Sequence, residues 1–246
     1  MVFTATPVTL DNAYTRCNMN KTIERLKSVR NRIKNACLSA DRPVNEVSLL
    51  AVSKRHPAAK ITELHQLGVL SFGENQLQEA LQKQQQLTEL DLQWHFIGTI
   101  QSNKTRALAE NFDWVQSVDR AKILKRLSAQ RPDSLGPLNI CLQVNINHES
   151  QKAGASPEEI FQLASLCQNL SNIKLRGLMA IPKMTDKPSE QHDSFHQVKL
   201  LFEDLKNQGY ELDTLSMGMS ADLDVAISEG STMVRIGTDL LGKRET

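Results

Sequence analysis

The feature that most constrains this chain is a regular alternation of short apolar runs with segments of helical spacing. The runs fall at residues 47–54, 69–75, 93–98, 113–118, 138–145, 175–181, 214–219 and 232–236. The first of them, Val47 to Lys54, is almost purely apolar and reads as a strand buried on both faces, as in parallel sheets covered by helices. Parallel strands need long crossovers, and each intervening segment can supply a helix. Eight strand–helix pairs within about 200 residues predict the α/β class and a single (β/α)8 TIM barrel. A doubly wound open sheet has the same alternation, and periodicity alone does not separate the two.

Ahead of the first strand, Ile23, Leu26, Ile33 and Cys37 form an apolar stripe amid Lys, Arg and Glu, predicting an extra N-terminal helix over residues 20–40. Residues 1–18 lack the basic start and apolar centre of a secretory leader, and are expected to be a mobile extension ahead of a barrel spanning 19–246. No linker rich in Pro, Gly or Ser divides the chain, so one domain is expected. With 29 basic against 28 acidic residues, the chain has no electrostatic footprint for nucleic acid or an anionic membrane. No apolar run approaches a membrane span. Cys17, Cys37, Cys141 and Cys167 show neither CxxC pairing nor metal-ligand spacing. They fit buried thiols in a reducing compartment, so a cytoplasmic location is expected.

In α/β barrels the chemistry lies at the carboxyl ends of the strands. The first strand ends on Lys54, directly before Arg55, His56, the helix-starting Pro57 and a helical pattern at Ile61, Leu64 and Leu67. A lysine shielded there loses hydration and becomes a nucleophile toward carbonyls, which is Schiff-base chemistry; taken alone, it equally fits a lysine snorkelling from a strand end. The second strand ends on Asn75. The seventh and eighth end in Ser216-Met217-Gly218-Met219-Ser220 and Arg235-Ile236-Gly237-Thr238, turns with glycine and hydroxyls. Either glycine alone fits a tight turn. Both loops after strands seven and eight, beside a lysine, point to a phosphorylated carbonyl ligand such as pyridoxal phosphate.

Arg235, just inside a strand end, is costly to bury unpaired. It is expected either in an ion pair with Glu74 or Asp222, or as a donor to a pyridine nitrogen. His95 reads as a core histidine. His192 and His196 are spaced as a metal pair but read as an exposed polar face in the absence of a third ligand. The segment Gln101-Ser102-Asn103-Lys104 reads as a helix start capped by Ser102. Lys152 lies in the loop after strand five, on the same rim as Lys54; it is expected to be a solvated loop lysine, with a transient acceptor role for a departing cofactor as the alternative.

Taken together, these motifs resemble the YggS/PROSC family of pyridoxal phosphate homeostasis proteins. The resemblance rests on Trp94-His95-Phe96-Ile97-Gly98-Thr99-Ile100-Gln101-Ser102-Asn103-Lys104, on Leu50-Ala51-Val52-Ser53-Lys54, and on Phe72-Gly73-Glu74-Asn75. Arg176-Gly177-Leu178-Met179-Ala180 and the two loops above follow in the family's order. It implies a barrel like the N-terminal domain of alanine racemase, with pyridoxal 5'-phosphate as a Schiff base on Lys54. Arg235 would face the pyridine nitrogen, Ser220, Gly237 and Thr238 the phosphate, and Asn75 the cofactor's side. The implied role is vitamin B6 and amino-acid homeostasis, without firm catalytic activity; a monomer is expected, with pyridoxal-phosphate-dependent apo-enzymes as candidate recipients. Asp239 departs from the family, which usually has a small residue there, and the extension before Met19 has no counterpart in it.

The main alternative is a pyridoxal-phosphate-dependent amino-acid racemase. Its second face needs an acid or base, which alanine racemase takes from a partner subunit's tyrosine near a second domain. This chain has only Tyr14 and Tyr210, neither placed for that role. A Schiff-base aldolase is a third possibility, without pyridoxal.

Overall fold

In a computed structural model, the protein is described over residues 10–147, 149, 151, 153–183 and 185–242, with side chains from residue 19 onward. Eight parallel strands close into a barrel in sequence order, β1 (Ser48–Val52), β2 (Ser71–Glu74), β3 (Gln93–Phe96), β4 (Trp114–Val118), β5 (Leu138–Val144), β6 (Ile173–Ala180), β7 (Thr214–Ser216) and β8 (Met233–Ile236). Closure comes from β1 against β8, with Ser48 opposite Met233 and Ala51 opposite Ile236. The open-sheet alternative is thereby excluded. Several strands stop short of their runs, because the last residues of those runs leave the ladder and turn toward the rim. Lys54, Asn75 and Met219 all lie beyond their strands.

Helices α1 (Leu10–Ser39), α2 (Ala58–Gln66), α3 (Leu77–Gln86), α4 (Thr105–Asn111) and α5 (Ala121–Gln130) lead into the second half of the chain. There α6 (Pro157–Cys167), α7 (Pro188–Asn207), α8 (Leu223–Ser228) and α9 (Thr238–Leu241) complete the outer layer. The core between strands and helices contains Ala51, Phe72, Ile140, Leu178 and Val234, all fully buried. Ser156 opens α6 with a capping box, its Oγ accepting from the Glu159 amide while Glu159 Oε2 accepts from the Ser156 amide at 2.8 Å. Ser102 is not a side-chain cap: it begins a 3-10 turn before α4, and its carbonyl accepts from Thr105 Oγ1 at 3.0 Å.

Helix α1 starts at Leu10, so residues 10–18, read as an extension, continue the helix; residues 1–9 lie outside the described ones. Its buried stripe is Thr22, Leu26, Val29, Ile33, Ala36 and Cys37. Ile23, expected in that stripe, is 41% exposed, because Thr22 takes the inward position and Ile23 stands about 100° further round. Packing of α1 against α8 and α9 ties the chain's beginning to its end. Gly177 has φ +155°, and a Cβ there would lie 1.8 Å from the Thr214 carbonyl oxygen, so only glycine lets β6 approach β7 this closely.

Candidate functional site

Lys54 projects from a turn that is held on both sides. Ser53 Oγ donates to Glu74 Oε1 at 2.7 Å, and the Ser53 carbonyl accepts from Lys83 Nζ at 2.8 Å. Lys83 also donates to Glu74 Oε1 at 2.6 Å and to Glu79 Oε1 at 2.7 Å. The same Glu79 oxygen accepts from the Arg55 amide at 2.5 Å, and Arg55 adopts a left-handed φ of +61°. Burial raises the Glu74 carboxyl above its ordinary range, while hydrogen bonds from Lys83 and Ser53 draw it down. Glu74 therefore belongs to Lys83 and Ser53, not to Arg235 as one expectation had it.

Arg235 is 4% exposed and is held by barrel groups rather than by a direct carboxylate partner. Its Nη1 donates to the Ser216 carbonyl at 2.6 Å and to Ser216 Oγ at 2.9 Å, and Nη2 donates to the Ala180 carbonyl at 2.9 Å. Burial lowers its pKa to about 10, opposed by the charge of Asp222, and it remains a cation at neutral pH. From Arg235 a hydrogen-bonded chain runs down the barrel interior. Ser216 Oγ donates to Gln116 Oε1 at 2.7 Å, Gln116 Nε2 meets His95 Nδ1 at 2.8 Å, and His95 Nε2 meets Gln93 Oε1 at 3.1 Å. This polarity makes His95 an Nδ1 acceptor and Nε2 donor. His95 is fully buried, stacks on Trp114 with ring centroids 5.1 Å apart, and burial pushes its pKa down to about 3. It is a satisfied core histidine, as expected.

The turn after β7 is shaped by Gly218, whose φ of +93° is left-handed, and by Asp222 Oδ1 accepting from the Met219 amide at 2.6 Å. Gly237 differs from the expected turn glycine: its φ is −110°, and a Cβ there would meet the Val52 carbonyl oxygen at an ordinary contact distance of 3.4 Å, so neither backbone conformation nor space demands glycine. Lys54, Asn75, Ser220, Arg235, Gly237 and Thr238 all line one cavity of about 460 Å3 at the carboxyl ends of the strands. That volume lies within the roughly 300–1,000 Å3 usual for small-molecule sites.

Val52, His56, Ile97, Gly98, Thr99, Gln143, Ile181, Met219 and Ala221 complete the lining. Gln143 and Thr99 were not singled out by sequence reasoning, although both sit at or just past a strand end, which is the signal that would find them. Asn75 Oδ1 is buried without a hydrogen-bond partner among the described residues, and a Cβ on Gly98 would lie 2.1 Å from the Asn75 carbonyl oxygen. A larger cavity, about 560 Å3, opens at the opposite end around Arg30, Lys34, Val44 and Leu70, and brings none of these groups together.

Other candidates fall away from this mouth. His192 and His196 each place Nδ1 2.9 Å from an oxygen of Glu229, and no cluster among the described residues is suited to a metal. Cys37, Cys141 and Cys167 are buried free thiols, with burial pushing Cys141 and Cys167 up to about 12. Lys152 and the side chain of Cys17 lie outside the described residues. Among the described residues, no helix is long and apolar enough to cross a membrane.

Residues 24–245 match the family of alanine racemase N-terminal domains. The pyridoxal phosphate homeostasis protein of Pseudomonas aeruginosa is 54% identical, covering 92% of this chain and 97% of its own. That of Escherichia coli K12 is 44% identical over 92% of this chain and 98% of its own. This chain belongs to the pyridoxal phosphate homeostasis protein family. Among solved relatives of this family, PipY of Synechococcus elongatus without PLP superposes with a TM-score of 0.80 at 39% identity, covering 89% of this chain and 99% of PipY. PipY with PLP bound gives 0.77 at 38% identity, covering 90% and 100%. Alanine racemase of Clostridium difficile gives 0.74 at 16% identity and covers only 58% of that enzyme, which shows a shared barrel alone.

Proposed function

We propose that the protein binds pyridoxal 5'-phosphate as a Schiff base on Lys54 and serves the homeostasis of that cofactor, not the turnover of amino acids. The observation that carries this reading is the single cavity in which Lys54, Arg235 and the loops after β7 and β8 meet. The residues fit the cofactor. Among the described residues the Ser220 and Ala221 amides have no acceptor, and Asn75 Oδ1 is a buried acceptor without a donor. The relatives support the same ligand: that of Pseudomonas aeruginosa is a pyridoxal phosphate homeostasis protein, and PipY has been solved with PLP bound. When bound, the cofactor supplies an aldehyde for an amine and a pyridine ring able to withdraw electrons.

The chain's own residues determine how much of that chemistry is used. Lys54 offers the amine, from a turn held by Ser53, Glu74, Lys83 and Glu79. Ser220, Gly237 and Thr238 offer hydroxyls and amides to the phosphate. Arg235, locked by Ser216 and Ala180, can only donate to a ring nitrogen, which keeps that nitrogen unprotonated and a weak electron sink. Tyr210 packs near Lys174 and Gly209 at the other end of the barrel, and the lining contains no tyrosine to act as acid or base. The proposal takes the protein as a monomer, with each role above assigned to this chain's own residues. Delivery of the cofactor to apo-enzymes in the cytoplasm completes the proposal.

Borohydride reduction of the yellow protein followed by peptide mapping should find the modification on Lys54, and Lys54→Ala should lose the visible band. Attachment at another lysine alone sinks the assignment. Incubation with alanine or serine in deuterated water should give no α-deuteration or racemisation above free pyridoxal phosphate. Fast, Lys54-dependent racemisation would instead establish the racemase.

A further inference from the structure

Both loops assigned to the phosphate are tied to one side chain outside the cavity, Arg32 on α1. Its Nη1 donates to the Ser220 carbonyl at 2.5 Å and lies 3.5 Å from Asp239 Oδ2, and its Nε donates to Asp224 Oδ2 at 2.8 Å. Its Nη2 pairs with the same Asp224 oxygen. One guanidinium thus bridges the turn after β7, helix α8 and the first turn of α9. The planar fork suits this task, since a lysine offers a point charge without fixed donor directions.

We propose that Arg32 is a positioning residue for the cofactor's phosphate. This inference rests on the binding reading above and adds a residue that neither the cavity nor the family motifs contain. Two effects are separable. The first is orientation. The peptide joining Ser220 to Ala221 is trans, so its N–H points opposite to its C=O. Holding the Ser220 carbonyl outward on Arg32 therefore turns the Ala221 amide inward, and Ala221 lines the cavity. The second is charge. Asp239 immediately follows Thr238, where an unpaired carboxylate would repel a phosphate dianion; Arg32, shared with Asp224, offsets part of that charge.

Arg25 and Arg42 reinforce the same seam. Arg25 Nη1 donates to the Leu241 carbonyl at 3.2 Å, and Arg42 Nη1 donates to the Ile227 and Ser231 carbonyls at 2.7 and 2.8 Å. They hold the far ends of α9 and α8, so α1 supports both helices, and of these three arginines it is Arg32 that reaches the phosphate turns.

The test compares pyridoxal phosphate with pyridoxal, which lacks the phosphate, by titrating apo-protein of wild type, Arg32→Met, Arg32→Lys and Arg32→Met/Asp239→Ser. Wild type should prefer pyridoxal phosphate; equal affinity for the two ligands would reject the parent reading of a phosphate site, independently of Arg32. Given that preference, Arg32→Met should weaken pyridoxal phosphate about ten-fold or more while pyridoxal changes less than about two-fold. Arg32→Lys should fall between, and Asp239→Ser should recover part of the loss. Equal weakening of both ligands, or unchanged affinity for pyridoxal phosphate, would overturn the positioning role. Circular dichroism and thermal midpoints identify variants that have unfolded; should Arg32→Met do so, the ligand preference of Arg32→Lys decides the question by the same criteria.

Discussion

Replacing Lys83 with methionine tests how the turn carrying Lys54 is held. Lys83 Nζ reaches Glu74 Oε1, Glu79 Oε1 and the Ser53 carbonyl at 2.6, 2.7 and 2.8 Å, and Glu74 is fully buried. Methionine keeps most of the stem's volume, so the change removes charge and hydrogen bonds more than packing. Removing one partner of a buried pair costs about 3–5 kcal/mol, because the other charge stays buried without compensation. Burial already raises Glu74, with Lys83 pulling the other way, so losing Lys83 raises it further. A carboxyl with a raised folded pKa is penalised where it is ionised. The loss should therefore be full above that pKa and shrink as acid supplies the missing proton. Urea unfolding should show about 3–5 kcal/mol lost at pH 8 and clearly less at pH 5, with Glu74→Gln recovering part of it in the double variant. A pH-independent loss below about 1 kcal/mol, the range of a surface ion pair, would refute this account of Lys83.

His95 supplies an acid-side prediction. Its pKa falls from 6.5 in the unfolded chain to about 3 in the fold, so its stability contribution is complete above 6.5 and lost as pH falls toward 3. Between pH 6.5 and 5 wild type should lose about 2 kcal/mol relative to His95→Gln, measured by unfolding at both pH values; parallel curves would reject the neutral buried histidine. Gly98→Ala places a Cβ 2.1 Å from the Asn75 carbonyl oxygen. Because backbone cannot move aside cheaply, stability should fall by about 3 kcal/mol or more and Asn75 should shift in the site, lowering cofactor affinity. A wild-type thermal midpoint and affinity would contradict that close approach.

The barrel was legible because its strands are buried on both faces. Leu50, Ala51, Ile140 and Val234 keep the runs largely apolar, although His95, Gln116, Ser216 and Arg235 place polar groups inside the barrel, and glycines such as Gly177 mark where backbones touch. Lys54, Asn75, Ser220, Arg235, Gly237 and Thr238 were legible as strand ends, and closure of β1 on β8 brings them to one mouth. Residues 1–9 and Lys152 lie outside what the structure describes.

Partnerships were not legible. Glu74 with Lys83, Arg235 with Ser216 and Ala180, and Arg32 with Ser220, Asp224 and Asp239 join residues on different elements. A run of apolar residues and a lysine at its end are local properties, and the linear chain carries them in full. Which carbonyl an arginine meets, and which of two carboxylates a lysine neutralises, depends on strand register and helix azimuth after the barrel has closed. Hydrogen bonds act within about 3 Å, and only the folded chain brings Arg32 that close to Ser220, 188 residues along the sequence.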